Sequence, residues 1–337
     1  MGPPLLNLLH RFRRWAAWAV ALGVLLYVGG SVYAGLGDVG GELEDFRWGL
    51  YIPVLLLTLV NYGARFVKWH FLLRSVGVKI ALVENALIYL AGLAMVISPG
   101  KVGEMLKPWL VSRRTGVSIM TTTPALVAER LTDGIAMLML AAIGVTTYAA
   151  DSVTYIIVPA ALILVGLAVL MHRGLSLWIL VKVLGRLPLI RRIAHKLEEM
   201  YVAMRTCLSP MALLWTTLVS LLAWWAECVG YLLVFEGMGV DASLDACTFL
   251  YSFATIAGGA MPGGLGVADG ALAGGAVEIL SVSQPVGVAS ALLIRVATLW
   301  FGVILGAIAL LKFDRLLGGV SLEATDATDP EASRPRD

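Results

Sequence analysis

Six stretches of this 337-residue chain are long and apolar enough to cross a lipid bilayer as helices, which restricts its fold more than any other feature. They are 15–36, 49–72, 120–148, 153–172, 211–236 and 285–311. A helix needs about 20 apolar residues to cross the hydrocarbon with its backbone polar groups satisfied. The chain is 59% hydrophobic and only 14% charged, whereas soluble domains have about 45–50% apolar and about 25% charged residues. The sequence therefore predicts an all-α polytopic membrane protein with six full spans.

Two further apolar stretches, 84–111 and 246–281, are interrupted by the same short pattern. The pattern is Pro-Gly-x-x-Gly, at Pro99, Gly100 and Gly103 in the first stretch and at Pro262, Gly263 and Gly266 in the second. Proline removes a backbone donor and glycine permits unusual dihedral angles, so each pattern breaks a helix. Each half is then too short to cross a bilayer comfortably, and we expect both stretches to be re-entrant helical hairpins. A mere bend in one helix is the alternative, since Pro and Gly are common in membrane helices.

Basic residues are concentrated in the segments that this arrangement places on one side of the membrane. They are Arg11, Arg13, Arg14, Arg65, Lys68, Arg74, Lys79, Arg113, Arg114, Lys312, Arg315 and the Lys and Arg residues of 173–208. The segments between them, 37–47, 149–152 and 237–245, hold a single Arg. Cytoplasmic loops carry the excess of Lys and Arg, so both termini are predicted to be cytoplasmic. Three full spans separate the hairpins, which should therefore open towards opposite faces.

The same order of elements recurs around each hairpin: a span, the hairpin, and a span that carries an arginine. Segment 49–148 thus resembles segment 211–312 turned upside down. Inverted repeats with broken helices are the architecture of many transporters, whose substrate site lies at the repeat interface near the membrane midplane. The sequence therefore predicts two oppositely oriented hairpins in an inverted repeat.

The segments outside the repeats have simpler predictions. Residues 1–14 form a basic cytoplasmic N-terminus, and 15–36 is a retained first span, with a signal peptide as the alternative. Segment 173–208 is cytoplasmic, and its part 189–204 has the pattern of an amphipathic helix on the membrane surface. A helix packed on a loop is the alternative for that part. The tail 316–337 is polar and predicted to be disordered.

Charged side chains inside the predicted spans are candidate functional residues. Each costs at least about 2.5–3.5 kcal/mol at the bilayer centre. Glu129, Arg130 and Asp133 lie about 12–18 Å into their span by the helical rise per residue, and Glu227 and Arg295 are also deep. Glu129 and Asp133 share a helix face at i,i+4. A structural ion network that fixes helix packing is the alternative to a functional site.

The two breaks supply binding chemistry of their own. Backbone N–H groups freed at a half-helix start attract anions, and freed carbonyls attract cations. Lys101 and Glu104 flank the first break, and Asp269 follows the second. The sequence has no nucleotide-binding, zinc-protease or serine-hydrolase motif, and no His lies within a metal-ligand spacing. We therefore expect no catalytic residue, cofactor or metal.

Together these patterns resemble the lysylphosphatidylglycerol-synthase transmembrane family, a flippase-like membrane family. The matching patterns are small-Pro-Gly-basic-x-Gly-Glu with a basic residue three further on, Glu-Arg-x-x-Asp in a span, and Pro-Gly-Gly-x-Gly with a later acid. The resemblance covers about 15–315 and marks Pro99, Gly100, Lys101, Gly103, Glu104, Lys107, Glu129, Arg130, Asp133, Pro262, Gly263, Gly264, Gly266, Asp269 and Arg295. Lys101 and Lys107 stand where the family often has Arg, and Asp269 where Glu is common. Lysine cannot grip a phosphate with two parallel bonds as arginine does.

The resemblance implies an inner-membrane lipid flippase that moves a phospholipid or lipid-linked head group across the bilayer. Its substrate-binding residues would be Lys101, Glu104, Lys107, Glu129, Arg130, Asp133, Asp269 and Arg295. No aminoacyl-transferase domain follows Lys312, so we expect no synthase activity. A transporter of polyprenyl-phosphate-linked carriers, a membrane-embedded lipid-modifying enzyme and a non-transporting scaffold are the alternatives. The candidate partners are the membrane lipid, a separate lipid-synthesising enzyme and a second copy in a homo-oligomer, and no nucleic acid is expected.

Overall fold

The computed structural model describes residues 35–98, 103–148, 154–172 and 194–317, together with scattered positions between 18 and 34. Within these residues every regular element is helical and no strand occurs. The α-helices are α1 Leu36–Glu44, α2 Tyr51–Ser75, α3 Leu82–Ala94, α4 Leu106–Thr115, α5 Ile119–Tyr148, α6 Thr154–Met171, α7 Ala194–Cys207, α8 Pro210–Gly237, α9 Leu244–Ala257, α10 Val267–Leu280, α11 Gln284–Arg295 and α12 Phe301–Leu317. A π-helical turn, Val296–Trp300, joins α11 to α12.

Four helical runs in the described part of the chain are long and apolar enough to cross a membrane. They are Trp48–Ser75, Pro210–Gly237, Pro262–Leu280 and Gln284–Lys312. Three of them match the predicted spans 49–72, 211–236 and 285–311. The predicted spans 120–148 and 153–172 correspond to α5, with 30 residues, and α6, with 18. The N-terminus 1–14 and most of the predicted first span and of the tail lie outside the described residues, so the count of six spans stays a prediction.

One expectation about the interrupted stretches needs correction. Pro262–Leu280 is 19 residues long and meets the length and hydropathy requirements of a span, although each half was expected to be too short. The 3₁₀ turn at Pro262–Gly264 adds length to this run, and the regular helix α10 has only 14 residues, or about 21 Å. The return of the second stretch to its starting side of the membrane therefore stays a prediction.

Both interruptions occur where the sequence places them. In the second, α9 ends at Ala257 and α10 begins at Val267, with φ of +59°, +75° and +82° at Gly263, Gly264 and Gly266. Glycine adopts these left-handed conformations without the steric cost that other residues incur. In the first, α3 gives way to a 3₁₀ turn, Met95–Ile97, and helix resumes at Leu106.

A hydrogen bond joins the two ends of the first interruption. The Gly103 N–H donates to Ser98 Oγ at 2.8 Å. Pro99, Gly100 and Lys101 lie outside the described residues. In both stretches the two halves pack on each other, α3 against α4 and α9 against α10.

The packing of the two interrupted stretches is reciprocal. Helix α3 of the first packs on α12, which ends the second predicted repeat, and α9 of the second packs on α5, which ends the first. A glycine marks each contact: a Cβ on Gly306 of α12 would clash with the backbone of Leu90 and Ala94, and one on Gly144 of α5 would lie 2.8 Å from Phe249 Cβ. Helices α2 and α8, which begin the two predicted repeats, pack along each other. Such an exchange fits two related repeats, whose boundaries stay predictions.

Helix α7 corresponds to the end of the predicted surface helix 189–204, and its surroundings differ from the expectation. It packs mainly on α5. Tyr201 is 5% exposed, and Met204 packs on the apolar cluster formed around α2, α3 and α5. This part of the apolar face of α7 was expected to lie on lipid, but it is covered by protein. The reason is that the side chains beside α5 are themselves apolar and pack against it. Residues 173–193 lie outside the described part.

Candidate functional site

The candidate site is built around one turn of α5, which carries Glu129, Arg130 and Asp133. Glu129 and Asp133 are 0% and 5% exposed, and their i,i+4 spacing directs both carboxylates from one helix face. Arg130 leaves the helix in a different direction and keeps 31% of its side chain exposed, but its guanidinium still lies 3.5 Å from both Glu129 Oε1 and Asp133 Oδ2. Buried charges are costly unless they are paired. Neighbouring helices must therefore supply counter-charges.

Lysines on two other helices neutralise these carboxylates. Lys107 of α4 lies 2.5 Å from Glu129 Oε2. Lys68 of α2 lies 2.5 Å from Asp133 Oδ1, and its ammonium also donates to Ser220 Oγ of α8 at 2.6 Å. One buried ionic cluster therefore joins α2, α4, α5 and α8.

Arg65 of α2 is shared between the two carboxylates. Its Nη2 lies 3.5 Å from Asp133 Oδ2 and 3.7 Å from Glu129 Oε1. Its Cζ lies 5.0 Å from the ring centroid of Trp224, a cation–π contact. The buried Arg65 Nε and Trp224 Nε1 have no hydrogen-bond partner among the described residues. Both residues border a cavity described below, although these two nitrogens are themselves enclosed by protein.

Arg65 and Lys68 were not among the predicted site residues. Both were expected to be cytoplasmic basic residues, but they are 6% and 0% exposed inside α2. A basic residue near the end of a span looks the same in sequence whether it faces water or a buried acid. The available signal was a polar stripe, because Thr58, Asn61, Arg65 and Lys68 follow one another at helical spacing and are all buried.

An acid–arginine pair joins each break to the next long helix. Glu104, which follows the first break, lies 2.6 Å from Arg130 Nε of α5. Asp269, which follows the second, accepts from Arg295 Nε of α11 at 2.8 Å. In both pairs the two residues are 26 positions apart in the chain. Each break is therefore held by an acid–arginine ion pair, which at the second break is also a hydrogen bond.

The second break has additional contacts. Asp269 Oδ2 accepts from the Gly266 N–H at 2.8 Å, which caps the start of α10. The Arg295 guanidinium also donates to the Gly263 carbonyl oxygen. Arg295 thus satisfies a carbonyl that the break removes from helical pairing.

A cavity of about 470 Å³ lies between the two breaks. Its charged wall is formed by Arg65, Glu104, Arg130, Asp133, Glu227 and Arg295. Its apolar wall includes Leu93, Val96, Met137, Leu138, Ile163 and Leu299. Backbone of the second break, at Gly263 and Gly264, also borders it. The cavity therefore offers charged groups and apolar surface to one ligand.

The predicted substrate-binding residues fall into three groups. Glu104, Arg130, Asp133 and Arg295 line the cavity. Lys107, Glu129 and Asp269 are buried behind it as ion-pair partners. Lys101 lies outside the described residues. A binding role for each of the eight stays a prediction.

Glu227 of α8 was noted in the sequence as a deep charge but was not included in the predicted substrate set. It is 4% exposed and lies on the cavity wall. The Tyr251 hydroxyl of α9 donates to Glu227 Oε2 at 2.6 Å. No basic nitrogen of the described residues lies within 4.0 Å of its carboxylate.

Comparison with known proteins agrees with the sequence patterns. A family model described as the lysylphosphatidylglycerol synthase TM region matches residues 15–306. The chain is also similar to a UPF0104 membrane protein of Methanothermobacter thermautotrophicus, with 25% identity over 311 residues that cover 86% of this chain and 90% of that protein. No solved structure matches the chain.

Proposed function

The chain belongs to the lysylphosphatidylglycerol synthase transmembrane family, and on that premise we propose that it moves a phospholipid or lipid-linked head group across the membrane. The observation that carries the proposal is the cavity between the two breaks, which has a charged wall and an apolar wall. A lipid head group needs both kinds of surface, because its phosphate is charged and the part where it joins the acyl chains is apolar.

Arginines rather than lysines would bind the phosphate. Arg65, Arg130 and Arg295 line the cavity, and a guanidinium can hold two phosphate oxygens at once. Lys107 stands where the family often has Arg, but it lies behind the wall and holds Glu129. The substitution therefore leaves the phosphate-binding groups on the wall unchanged.

The route of the lipid follows from the predicted topology. Hairpins that open to opposite faces would admit the head group from either side, while the acyl chains stay in the bilayer. The proposed location is the cell (inner) membrane with both termini in the cytoplasm. Association with a lipid-synthesising enzyme and self-association stay expectations from the sequence.

The test is head-group translocation of fluorescent lipids in proteoliposomes. Aminoacylated, anionic and polyprenyl-phosphate lipids are compared as separate samples. Glu104→Gln and Arg130→Gln each break the pair that holds the first break, and we expect either change to reduce translocation at least about tenfold, the effect of 1.4 kcal/mol. Arg113→Gln is the matched control, because Arg113 is exposed at the end of α4 and away from the cavity.

Folded protein is confirmed for each variant by size-exclusion chromatography and thermal unfolding. Translocation of none of the three lipids by folded native protein would contradict the proposal. Transport of the polyprenyl-phosphate lipid alone would assign the alternative cargo, since its phosphate makes the same demands on the cavity.

A further inference from the structure

Glu227 differs from the other buried carboxylates of the described residues in its partners. The other four are each within salt-bridge distance of a Lys or Arg; they are Glu104, Glu129, Asp133 and Asp269. Glu227 accepts a hydrogen bond from Tyr251 and has no cation within 4.0 Å in the part of the chain that the structure describes. An ionised carboxylate buried without a cation is costly. Among these five acids, Glu227 is therefore the one whose surroundings most favour the neutral form.

Groups on every helix around Glu227 contribute to its electrostatic environment. Tyr62 and Arg65 face it from α2, Asp133 from α5, and Arg295 from α11. The two arginines favour its ionised form and the aspartate opposes it. Each arginine is already engaged by a carboxylate, Arg65 by Asp133 and Arg295 by Asp269. The charge of Glu227 thus depends on what else enters the cavity.

The charges on the cavity wall set the direction of this dependence. Three arginines and two paired carboxylates line the wall besides Glu227: Arg65, Arg130, Arg295, Glu104 and Asp133. The ion-pair partners behind it cancel, since Lys68 and Lys107 balance Glu129 and Asp269. Among the described residues, the wall therefore carries one net positive charge when Glu227 is neutral and none when it is ionised.

We infer that Glu227 is the proton-binding residue of the cavity, and that a proton on Glu227 and a phosphate group in the cavity bind cooperatively. The inference rests on the proposed function in taking a lipid phosphate as the anion. A protonated Glu227 leaves one positive charge to be neutralised, and one phosphodiester supplies the matching negative charge. By reciprocity the bound anion strengthens proton binding as much as the proton strengthens anion binding.

The coupling predicts how anion affinity depends on pH. Above the pH at which Glu227 ionises in the empty cavity, and up to the higher pH at which it ionises with the anion bound, each bound anion takes up about one proton. Affinity should then fall by up to about tenfold per pH unit. Below that pH, affinity should be constant and no proton should be taken up.

The probe is dihexanoyl-phosphatidylglycerol, a soluble phosphodiester whose own charge is constant over the range used. Its binding to the purified full chain in detergent is measured by calorimetry between pH 6 and 9. Two buffers of different ionisation enthalpy at each pH give the number of protons taken up. Glu227→Gln should bind with the same affinity at every pH and take up no proton.

Two further variants separate this role from a structural one. Glu236→Gln removes an exposed carboxylate from the same helix and should keep the native pH dependence. Tyr251→Phe removes the hydroxyl that contacts Glu227 and should retain a pH dependence with a displaced midpoint. A structural role alone would lower affinity in Glu227→Gln and Tyr251→Phe without changing its pH profile.

The inference is overturned if Glu227→Gln keeps the native pH dependence, or if folded native protein binds the probe with pH-independent affinity or not at all. Failure of the proposed function has a different signature. In one outcome, the native protein binds the probe with proton uptake, Glu227→Gln loses that uptake, and the native protein still moves no lipid in proteoliposomes. This result supports the inference and rejects transport. Transport with pH-independent binding rejects the inference alone.

Discussion

Lys68 shows how completely one side chain can depend on its surroundings. It is 0% exposed, and its ammonium has three side-chain acceptors, Thr132 Oγ1, Asp133 Oδ1 and Ser220 Oγ. It also donates to the Glu129 carbonyl oxygen at 3.1 Å. An ammonium buried in the protein interior is tolerated only with such a complete set of hydrogen-bond partners.

Replacing Lys68 should therefore destabilise the protein strongly. Lys68→Met leaves Asp133 without its closest cation, and breaking a buried pair costs about 3–5 kcal/mol. The midpoint of thermal unfolding in detergent should drop, and removing both charges with Asp133→Leu should restore part of the loss. Lys79→Met, the same change at an exposed position, is the control, and an equal loss in both variants would contradict the prediction.

The two arginines paired with the breaks differ from Lys68 in exposure. Arg130 keeps 31% and Arg295 12% of its side chain exposed. Both therefore hold a carboxylate and still present guanidinium surface to the cavity. The lysines thus lie behind the cavity wall and the arginines lie on it. The helix that carries a residue does not by itself determine which of these positions its side chain takes.

The helices are held in place by the close approach of the interrupted stretches to the long helices. Gly306 of α12 touches the backbone of α3, and Gly144 of α5 touches α9 at Phe249. The tips of the two stretches also meet, since Ile97 packs with Leu265 and Leu299. Each break is thus positioned by helices from both predicted repeats.

A methyl group at Gly306 should disturb this arrangement. The atoms that Gly306→Ala would strike include backbone of Leu90 and Ala94, which cannot rotate away, and overpacking costs about 1–3 kcal/mol. The expected result is a lower unfolding midpoint together with slower lipid translocation. Gly274→Ala, in α10 with open space around its Cβ position, is the matched control and should be neutral or stabilising.

The membrane topology of the complete molecule depends on the path of the second interrupted stretch. By length, Pro262–Leu280 meets the requirement for a full span. If it crossed while Leu244–Ala257 did not, Lys312 and Arg315 would lie outside the cell, against the positive-inside rule. A hairpin keeps them in the cytoplasm.

Cysteine labelling separates these two topologies. In a chain whose native cysteines, Cys207, Cys228 and Cys247, are changed to Ser, single cysteines are placed at Ser243 and Ser283. Both positions should react with a membrane-impermeant maleimide added to intact cells, because a hairpin begins and ends on the same side. Arg113→Cys should react only in inverted vesicles. Labelling of Ser283→Cys only in inverted vesicles would show that the second stretch crosses the membrane.

Much of the molecule could be predicted from local sequence. Long apolar runs indicate a membrane protein because solvent transfer depends on composition alone, and Pro-Gly-x-x-Gly breaks a helix through the backbone chemistry of its own residues. The common face of Glu129 and Asp133 follows from helical spacing. The match of the family model to residues 15–306 agrees with the resemblance that these patterns carry.

Only the tertiary structure decided which charges meet. Arg65 and Lys68 belong to the buried cluster, Glu104 pairs with Arg130, and Glu227 stands on the wall without a cation among the described residues. Helical spacing relates residues three or four positions apart, whereas each of these relations depends on which helices pack together, and joins residues 24 to more than 60 positions apart. The cavity and its charge are therefore properties of the packing, while the membrane class and the two breaks are properties of the sequence itself.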